Sequence, residues 1–315
     1  VIDYYVRGGL APLFTSHPDI SNVYSYDKRV DEKGLGSILR LGRTIAERKY
    51  SIWLSPHTSL RSAFMARFSG APLSVGYTRP AFNRFCYTHT LDRGFGENEE
   101  VERILQLLQP LGPGPVSNWP DVVLPPEAHA AAEAFFSDLG PGQTVIGIHP
   151  GSIWATKRWI PEYFAELTVS ALNSDVHVLV FAGKGAEAEI AENIMQSVRN
   201  RMSDRPGKLE SHLHNLAAGL SLAELGAYIS RLDCYVANDS GPMHMAWSLG
   251  VPVVTIFGPT VRSFGFTPRS EGSRIFEADW VPCRPCSRHG PQKCPLKHHR
   301  CMTEVKPDVV WDGVR

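Results

Sequence analysis

Along the second half of the chain, short apolar runs alternate with longer stretches in which apolar residues recur every three to four positions. Thr144–His149 (TVIGIH), Val176–Phe181 (VHVLVF), Cys234–Ala237 and Val253–Phe257 read as buried parallel strands. Helical segments of ten or more residues lie between them. Ser221-Leu-Ala-Glu224 is a capping-box signature opening one helix. Pro161 suits the first turn of another, whose inward face takes Phe164, Leu167 and Ala171. The first half carries the same alternation more loosely, with an apolar run at Tyr50–Leu54 and helical patterns over Leu35–Lys49 and Glu99–Leu108. A Pro/Gly-rich stretch, Pro110–Pro126, separates the halves. Strand–helix alternation in both predicts two doubly wound α/β domains, drawn at residues 1–140 and 141–315.

At 315 residues the chain is long enough for two domains that each bury a core. Lys+Arg and Asp+Glu are both 32, so no net field favours nucleic acid or an acidic membrane. Apolar runs stay well short of the ~20 residues of a membrane span. The chain opens on VIDYYV, which reads as a strand already under way, without Met and without a basic leader. Six cysteines are present, four of them crowded into residues 283–301, and no regular disulfide framework occurs elsewhere. A reducing cytoplasm is therefore the expected compartment.

Ligands of doubly wound sheets bind beyond the carboxyl ends of the strands. Glycine or small-polar corners stand at those ends: HPGS (149–152), AGKG (182–185), NDSG (238–241) and FGPT (257–260). The P-loop and dinucleotide fingerprints are absent from the sequence. A phosphate is left with strand-to-helix corners that offer backbone N–H groups and a helix dipole. Asp239-Ser240-Gly241-Pro242 is such a corner: Ser240 can cap, Gly241 lets a ligand approach, and Pro242 drops a donor the first turn does not use. An ordinary capped helix start is the competing reading. Trp154-Ala-Thr-Lys157-Arg158-Trp159 adds two adjacent cations after the first of these strands. Lysine supplies a point charge and arginine a fork, which suits a diphosphate; a surface loop with a cation–π contact is the alternative.

HPGSIWATKRWIPEYFAEL, FAGKGAEAEIAENI and VANDSGPMHMAWSLGVPVVTIFGPT, in this order and spacing, resemble the ADP-heptose:lipopolysaccharide heptosyltransferases, the family-nine glycosyltransferases. IDYYVRGGLAPLFTSHPDISNVYSYD looks like the family's second strand and the segment after it, and VGYTRPAFNRFCYTHTLDRG like its middle acceptor-domain segment. The resemblance implies a GT-B fold, two Rossmann-like domains facing across a cleft. The C-terminal one would hold the nucleotide sugar and the N-terminal one the acceptor. By motif, it places Lys157 on the diphosphate with Ser152 and Thr156 nearby, Glu187 on the ribose and Leu220 at the adenine. Asp239, Ser240, Gly241 and His244 form the phosphate and sugar side; for His244 a core or capping role is the rival. Lys157 and Asp239 are the expected catalytic pair.

The resemblance implies inverting transfer of heptose from ADP-heptose to the Kdo-bearing inner core of lipopolysaccharide, in the cytoplasm, with peripheral contact to the inner membrane and no nucleic acid. Within the family, the NDSGPMH corner is closer to the second-heptose pattern. The rivals are a GT-B transferase using another nucleotide sugar, and a non-catalytic homologue that binds one. The sequence has no D-x-D metal motif, so no metal or other cofactor is expected in catalysis. The leaving phosphate's charge then falls to Lys157 and the 239–241 corner.

An inverting transfer also needs a carboxylate base. The resembled family carries it in a Gly-Asp turn ahead of the segment that VIDYYV matches, and neither Asp3 nor Asp92 is a convincing substitute. The base and a first strand are therefore expected upstream of residue 1, and a sheet without that strand would expose an apolar edge. Arg61, Arg67, Arg79, Arg84 and Arg93 could face an anionic acceptor, or be scattered surface charges. Cys283, Cys286, Cys294 and Cys301 begin with a C-x2-C spacing suited to metal, with His298 and His299 as further candidates. Disulfides and free thiols are the alternatives. Cys86 and Cys234 read as core.

Overall fold

The computed structural model describes residues 1–26, 35–112, 114 and 117–315. Asp27, which ends one resembling segment, and Pro113, Pro115 and Val116 of the Pro/Gly-rich stretch lie outside them. The chain divides into two compact units. Unit 1 comprises Val1–Ala11, Ser21–Pro120 and Ser263–Phe266; unit 2 comprises Pro12–Ile20, Asp121–Arg262 and Thr267–Arg315. The division at Pro120/Asp121 falls inside the Pro/Gly-rich stretch.

Unit 1 holds β1 (Asp3–Arg7), β2 (Asn22–Tyr26), α1 (Leu35–Glu47), β3 (Ile52–Leu54), α2 (Leu60–Ser69), β4 (Leu73–Tyr77), β5 (His89–Leu91) and α3 (Glu100–Leu105). Its strands form a parallel pair, β1–β2, and a parallel three-stranded sheet in the order β3-β4-β5. The edge strand β3 leaves Ile52 and Leu54 exposed. Tyr5 of β1 packs against Tyr24 and Trp53 at centroid distances of 4.9 and 5.4 Å. Asp3 accepts hydrogen bonds from Tyr50 Oη (2.6 Å) and Asn22 Nδ2 (2.7 Å). Burial pushes the Asp3 carboxyl up, but these bonds and Arg48 outweigh it and hold it below the usual range. The returning segment 263–266 is pinned to α3: Arg103, fully buried, donates to Phe264 O at 2.8 Å, and Glu100 N to Gly265 O at 2.9 Å.

Unit 2 opens with α4 (Pro126–Leu139) and continues through β6 (Val145–His149), α5 (Pro161–Asn173), β7 (His177–Val180), α6 (Ala186–Arg201), α7 (Pro206–His212) and β8 (Leu213–Asn215). Next come α8 (Leu222–Ile229), β9 (Cys234–Asn238), α9 (Gly241–Ser248), β10 (Val253–Phe257), β11 (Arg274–Glu277), α10 (Arg300–Thr303) and α11 (Pro307–Val314). Six strands run parallel in the order β11-β10-β9-β6-β7-β8. β6, β7, β9 and β10 are buried at every position, which explains their predominantly apolar runs. The Ser221 capping box forms in full, and Phe164, Leu167 and Ala171 of α5 are all at 0% exposure in the core. Trp159 anchors that core, its indole N–H donating to Val305 O at 2.9 Å.

The chain leaves β6 in one direction toward β7 and β8, and returns to its other side with β9 and β10. The switch point therefore lies between β6 and β9. Their register, Ile148 against Val236 and His149 against Ala237, brings the carboxyl-end loops HPGS and NDSG side by side. Among the described residues no helix is long and apolar enough to cross a membrane.

Candidate donor-binding site

The site sits in unit 2 at that switch point. Asn238 closes β9 and is fully buried; its side chain accepts from Trp159 N at 2.8 Å and donates to Pro150 O at 2.8 Å. One amide thus stitches both loops together. Asp239 comes next, 7% exposed, and its Oδ2 accepts from Lys157 Nζ and from Thr260 Oγ1, both at 2.6 Å. Loops after β6, β9 and β10 converge on this one oxygen. The ammonium keeps two further N–H donors, and Asp239 fixes where they point.

α9 starts just beyond Ser240. Its first-turn N–H groups, those of Gly241 and Met243, have no acceptor within the helix, and Pro242 carries none. A Cβ built on Gly241 would meet nothing within 4 Å, so the backbone is open to a ligand. Ser240 corrects the expectation of a cap. Its backbone is extended (φ −152°, ψ 167°), its side chain caps nothing, and the hydroxyl is buried without a hydrogen-bond partner. His244 lies one turn into α9, where Trp247 Nε1–H donates to its Nδ1 at 3.1 Å. That makes Nδ1 the acceptor and leaves Nε2 to carry the ring proton of the neutral form.

Glu187, in the first turn of α6, folds back over the β6 corner. Its Oε2 accepts from Gly183 N at 3.0 Å and lies 3.6 Å from His149 Nε2. The His149 ring, more than any other neighbour, holds its carboxyl below the usual range, with Gly183 N–H assisting against burial. Tyr235 Oη contacts His149 Nδ1 at 2.9 Å; burial pushes that phenol well up, so it donates and Nε2–H faces Glu187. Gly151 makes room, since a Cβ there would stand 2.5 Å from the Glu187 carboxyl carbon. Leu220 is half-buried immediately before the Ser221 cap. Ser152 is buried, and its carbonyl accepts from Arg158 Nε at 2.8 Å. Arg158 thus braces the loop through Nε, and its charge helps to hold the Glu187 carboxyl down.

The segment 283–301 clamps the Lys157 loop. Gln292 accepts from Ala155 N (3.2 Å) and donates to Ile153 O (3.1 Å), while His299 Nε2 donates to Thr156 O at 2.8 Å. Thr156 donates to Pro291 O through both its amide and its hydroxyl, and Trp154 stacks on His289 at 6.0 Å. Buried Arg284 donates to Thr260 O at 2.9 Å, to Gly258 O and to Glu277 at 2.7 Å, fixing the loop after β10. The sequence singled this segment out for its thiols. All six cysteines are free, and among the described residues no group of three or more His, Cys, Asp or Glu side chains is placed to hold a metal ion. Cys301 is core at 4% exposure, as are Cys86 and Cys234.

Of the five arginines, Arg93 is taken by Glu100 and lies over the Tyr77 ring, whereas Arg67, Arg79 and Arg84 are exposed. Asp3 is held by Tyr50 and Asn22, and Asp92 accepts from Gly94 N in its own turn at 2.9 Å.

The model of glycosyltransferase family 9 (heptosyltransferase) matches residues 38–295, most of the chain. The chain belongs to glycosyltransferase family 9. It is 32% identical over 175 residues to lipooligosaccharide heptosyltransferase 2 of Campylobacter jejuni, a stretch covering 55% of this chain and 51% of that protein. The match thus spans about half the length of that relative. Lipopolysaccharide heptosyltransferase 1 of Pseudomonas aeruginosa is 27% identical over 319 residues, 96% of this chain and 82% of its own. In fold, the chain is similar to ADP-heptose lps heptosyltransferase II of Escherichia coli, with a TM-score of 0.77 at 21% identity, covering 100% of this chain and 88% of that one. The parallel α/β architecture of both units is the GT-B-like fold of these family members.

Proposed function

We propose that this chain transfers heptose from ADP-heptose to the inner core of lipopolysaccharide, as an inverting enzyme of the cytoplasm that works at the inner membrane. The observation that carries the reading is the Lys157–Asp239–Thr260 cluster beside the open first turn of α9. Breaking the bond to a sugar diphosphate develops negative charge on the leaving phosphate. A cation already positioned by a buried carboxylate, next to unpaired helix N–H groups, stabilises that charge without reorganising. Glu187 is the ribose carboxylate in this reading, released from Gly183 N–H toward the diol. Leu220 flanks the adenine, and Ser152, Thr156, Ser240, Gly241 and His244 line the phosphate and sugar side. The general base is assigned to none of Asp3, Asp92, Glu187 and Asp239.

The test is a thermal-shift comparison of ADP-heptose with UDP- and GDP-sugars, combined with turnover on a defined Kdo-bearing acceptor. Stabilisation by the ADP-sugar alone, with heptose transfer, is the expected result. Preference for another nucleotide would transfer the reading to a different donor. Binding without turnover would make the chain a nucleotide-sugar binder.

A further inference from the structure

Unit 1 carries a surface feature that the donor chemistry does not use. From Arg48 to Leu91 the sequence holds Arg48, Lys49, Arg61, Arg67, Arg79 and Arg84, and no Asp or Glu. In a chain balanced at 32 cations and 32 anions this is a local excess of positive charge, even with Arg48 paired to Asp3.

The same stretch exposes aromatic rings. Phe85 is 79% exposed, Leu60 52% and Phe82 38%. Four rings form a continuous cluster: Phe64 lies 5.4 Å from Phe82 and 6.2 Å from Phe68, and Phe82 lies 6.5 Å from Phe85. The backbone that presents them is fixed. Asn83, fully buried between Phe82 and Arg84, donates through Nδ2 to Tyr77 O at 2.9 Å and to Arg79 O at 3.1 Å. The turn Ala81–Phe85 is thereby tied to the end of β4, and its outer positions 82, 84 and 85 point to solvent. Arg67 precedes Phe68 on α2, and Arg84 stands between Phe82 and Phe85 in the turn, so cations and rings share the same two elements.

We infer that the α2 and 81–85 surface docks unit 1 on an anionic phospholipid bilayer. Phe82 and Phe85 would enter the headgroup–acyl boundary, and Arg67, Arg79 and Arg84 would pair with lipid phosphates. Aromatic rings and long cationic side chains partition to that boundary together, because the rings want the apolar side and the guanidinium groups the wet one. Arginine matches phosphate oxygens as a fork. A second copy of the patch is excluded as occupant by like charge, and a soluble anion leaves the rings unexplained. The inference deepens the membrane contact of the proposed function and does not depend on the transfer chemistry of unit 2.

Flotation with vesicles of phosphatidylcholine alone, and of phosphatidylcholine mixed with phosphatidylglycerol, tests it on the intact chain. Binding is expected to the anionic vesicles only, and to weaken with added salt. Each of Arg67→Gln, Arg79→Gln and Arg84→Gln should lower it about fivefold, and Phe85→Ser at least roughly tenfold. Thermal shift by ADP serves as a separate readout and should be the same in the variants as in the parent chain. Equal binding to neutral vesicles, no binding, or binding indifferent to these substitutions overturns the inference. So does self-association abolished by Phe85→Ser in a chain that floats with neither vesicle. Absence of an ADP shift in the parent would sink the donor reading and leave the flotation result standing.

Discussion

At the scale of single residues, the proposed function turns on Lys157. One charge-stabilising donor is commonly worth about 3 kcal/mol in the transition state, so Lys157→Ala should lower kcat/KM by roughly 10²-fold. The variant also leaves Asp239 buried with Thr260 as its remaining partner, and a stranded charge lowers stability by itself. Adding Asp239→Asn should restore the melting temperature without restoring the rate. A double variant that recovers both would show that Lys157 serves the fold alone. For His244, the Trp247 contact occupies Nδ1 and leaves the ring proton of the neutral form on Nε2. His244→Ala should raise the Kd for ADP about tenfold, the worth of roughly one hydrogen bond to a charged group, with little change in Tm. Isothermal titration of the folded variant checks it, and unchanged affinity would return His244 to a structural role. The polarity of this corner was legible in the sequence, since Asp, Ser, Gly and Pro follow directly on an apolar run. The idle Ser240 hydroxyl was not, because capping depends on a side-chain torsion that residue type does not dictate.

At the scale of elements, the strands were legible because burial on both faces leaves predominantly apolar runs, with His177 and Thr255 among the buried exceptions. Contacts between elements remote in sequence were not. The clamp of 283–301 on 153–156 joins residues some 135 to 143 positions apart, through backbone carbonyls that any sequence possesses. The cysteines there drew attention to metal chemistry, while Gln292 and His299 carry the contacts. A histidine cluster at the amino ends of β7 and β8 was likewise invisible. His177 stacks on His212 at 4.0 Å and on His214 at 5.7 Å, with Asp175 and Lys208 beside His212. Burial above all, then the two neighbouring rings and Lys208, pushes His177 down to about 4. A histidine depressed below its ordinary value of about 6.5 stays neutral in the fold. Its contribution is complete above that value and is lost as pH falls toward 4, where the unfolded chain binds the proton first. The melting temperature should therefore be level above pH 7 and decline between about 6.5 and 4. In His177→Phe, which keeps the stack and removes the proton site, the decline should be shallower. An unchanged slope would assign the acid sensitivity to other groups.

At the scale of the whole molecule, the open issue is what neutralises a diphosphate when the chain itself is neutral overall. Enzymes that use a divalent ion for this hold it with carboxylates whose oxygens are open to the metal. Among the described residues of the candidate site, Asp239 and Glu187 each have one carboxylate oxygen already engaged. Asp239 Oδ2 accepts from Lys157 and Thr260, and Glu187 accepts from Gly183 N–H beside His149. An ammonium 2.6 Å from Asp239 Oδ2 already places a positive charge beside the open first turn of α9. Charge neutralisation then falls to Lys157 and the start of α9. Transfer activity should thus be unaffected by EDTA, at substrate levels where a metal-dependent enzyme would stop. The same experiment on the thiol segment has a separate readout. Burial and its neighbours push Cys286 and Cys301 up, whereas backbone N–H groups turned on Cys294 outweigh burial and lower it. Cys294 should be alkylated first, at the same rate with and without chelator. Loss of turnover in EDTA with the fold intact, reversed by magnesium or manganese, would refute the metal-independent mechanism.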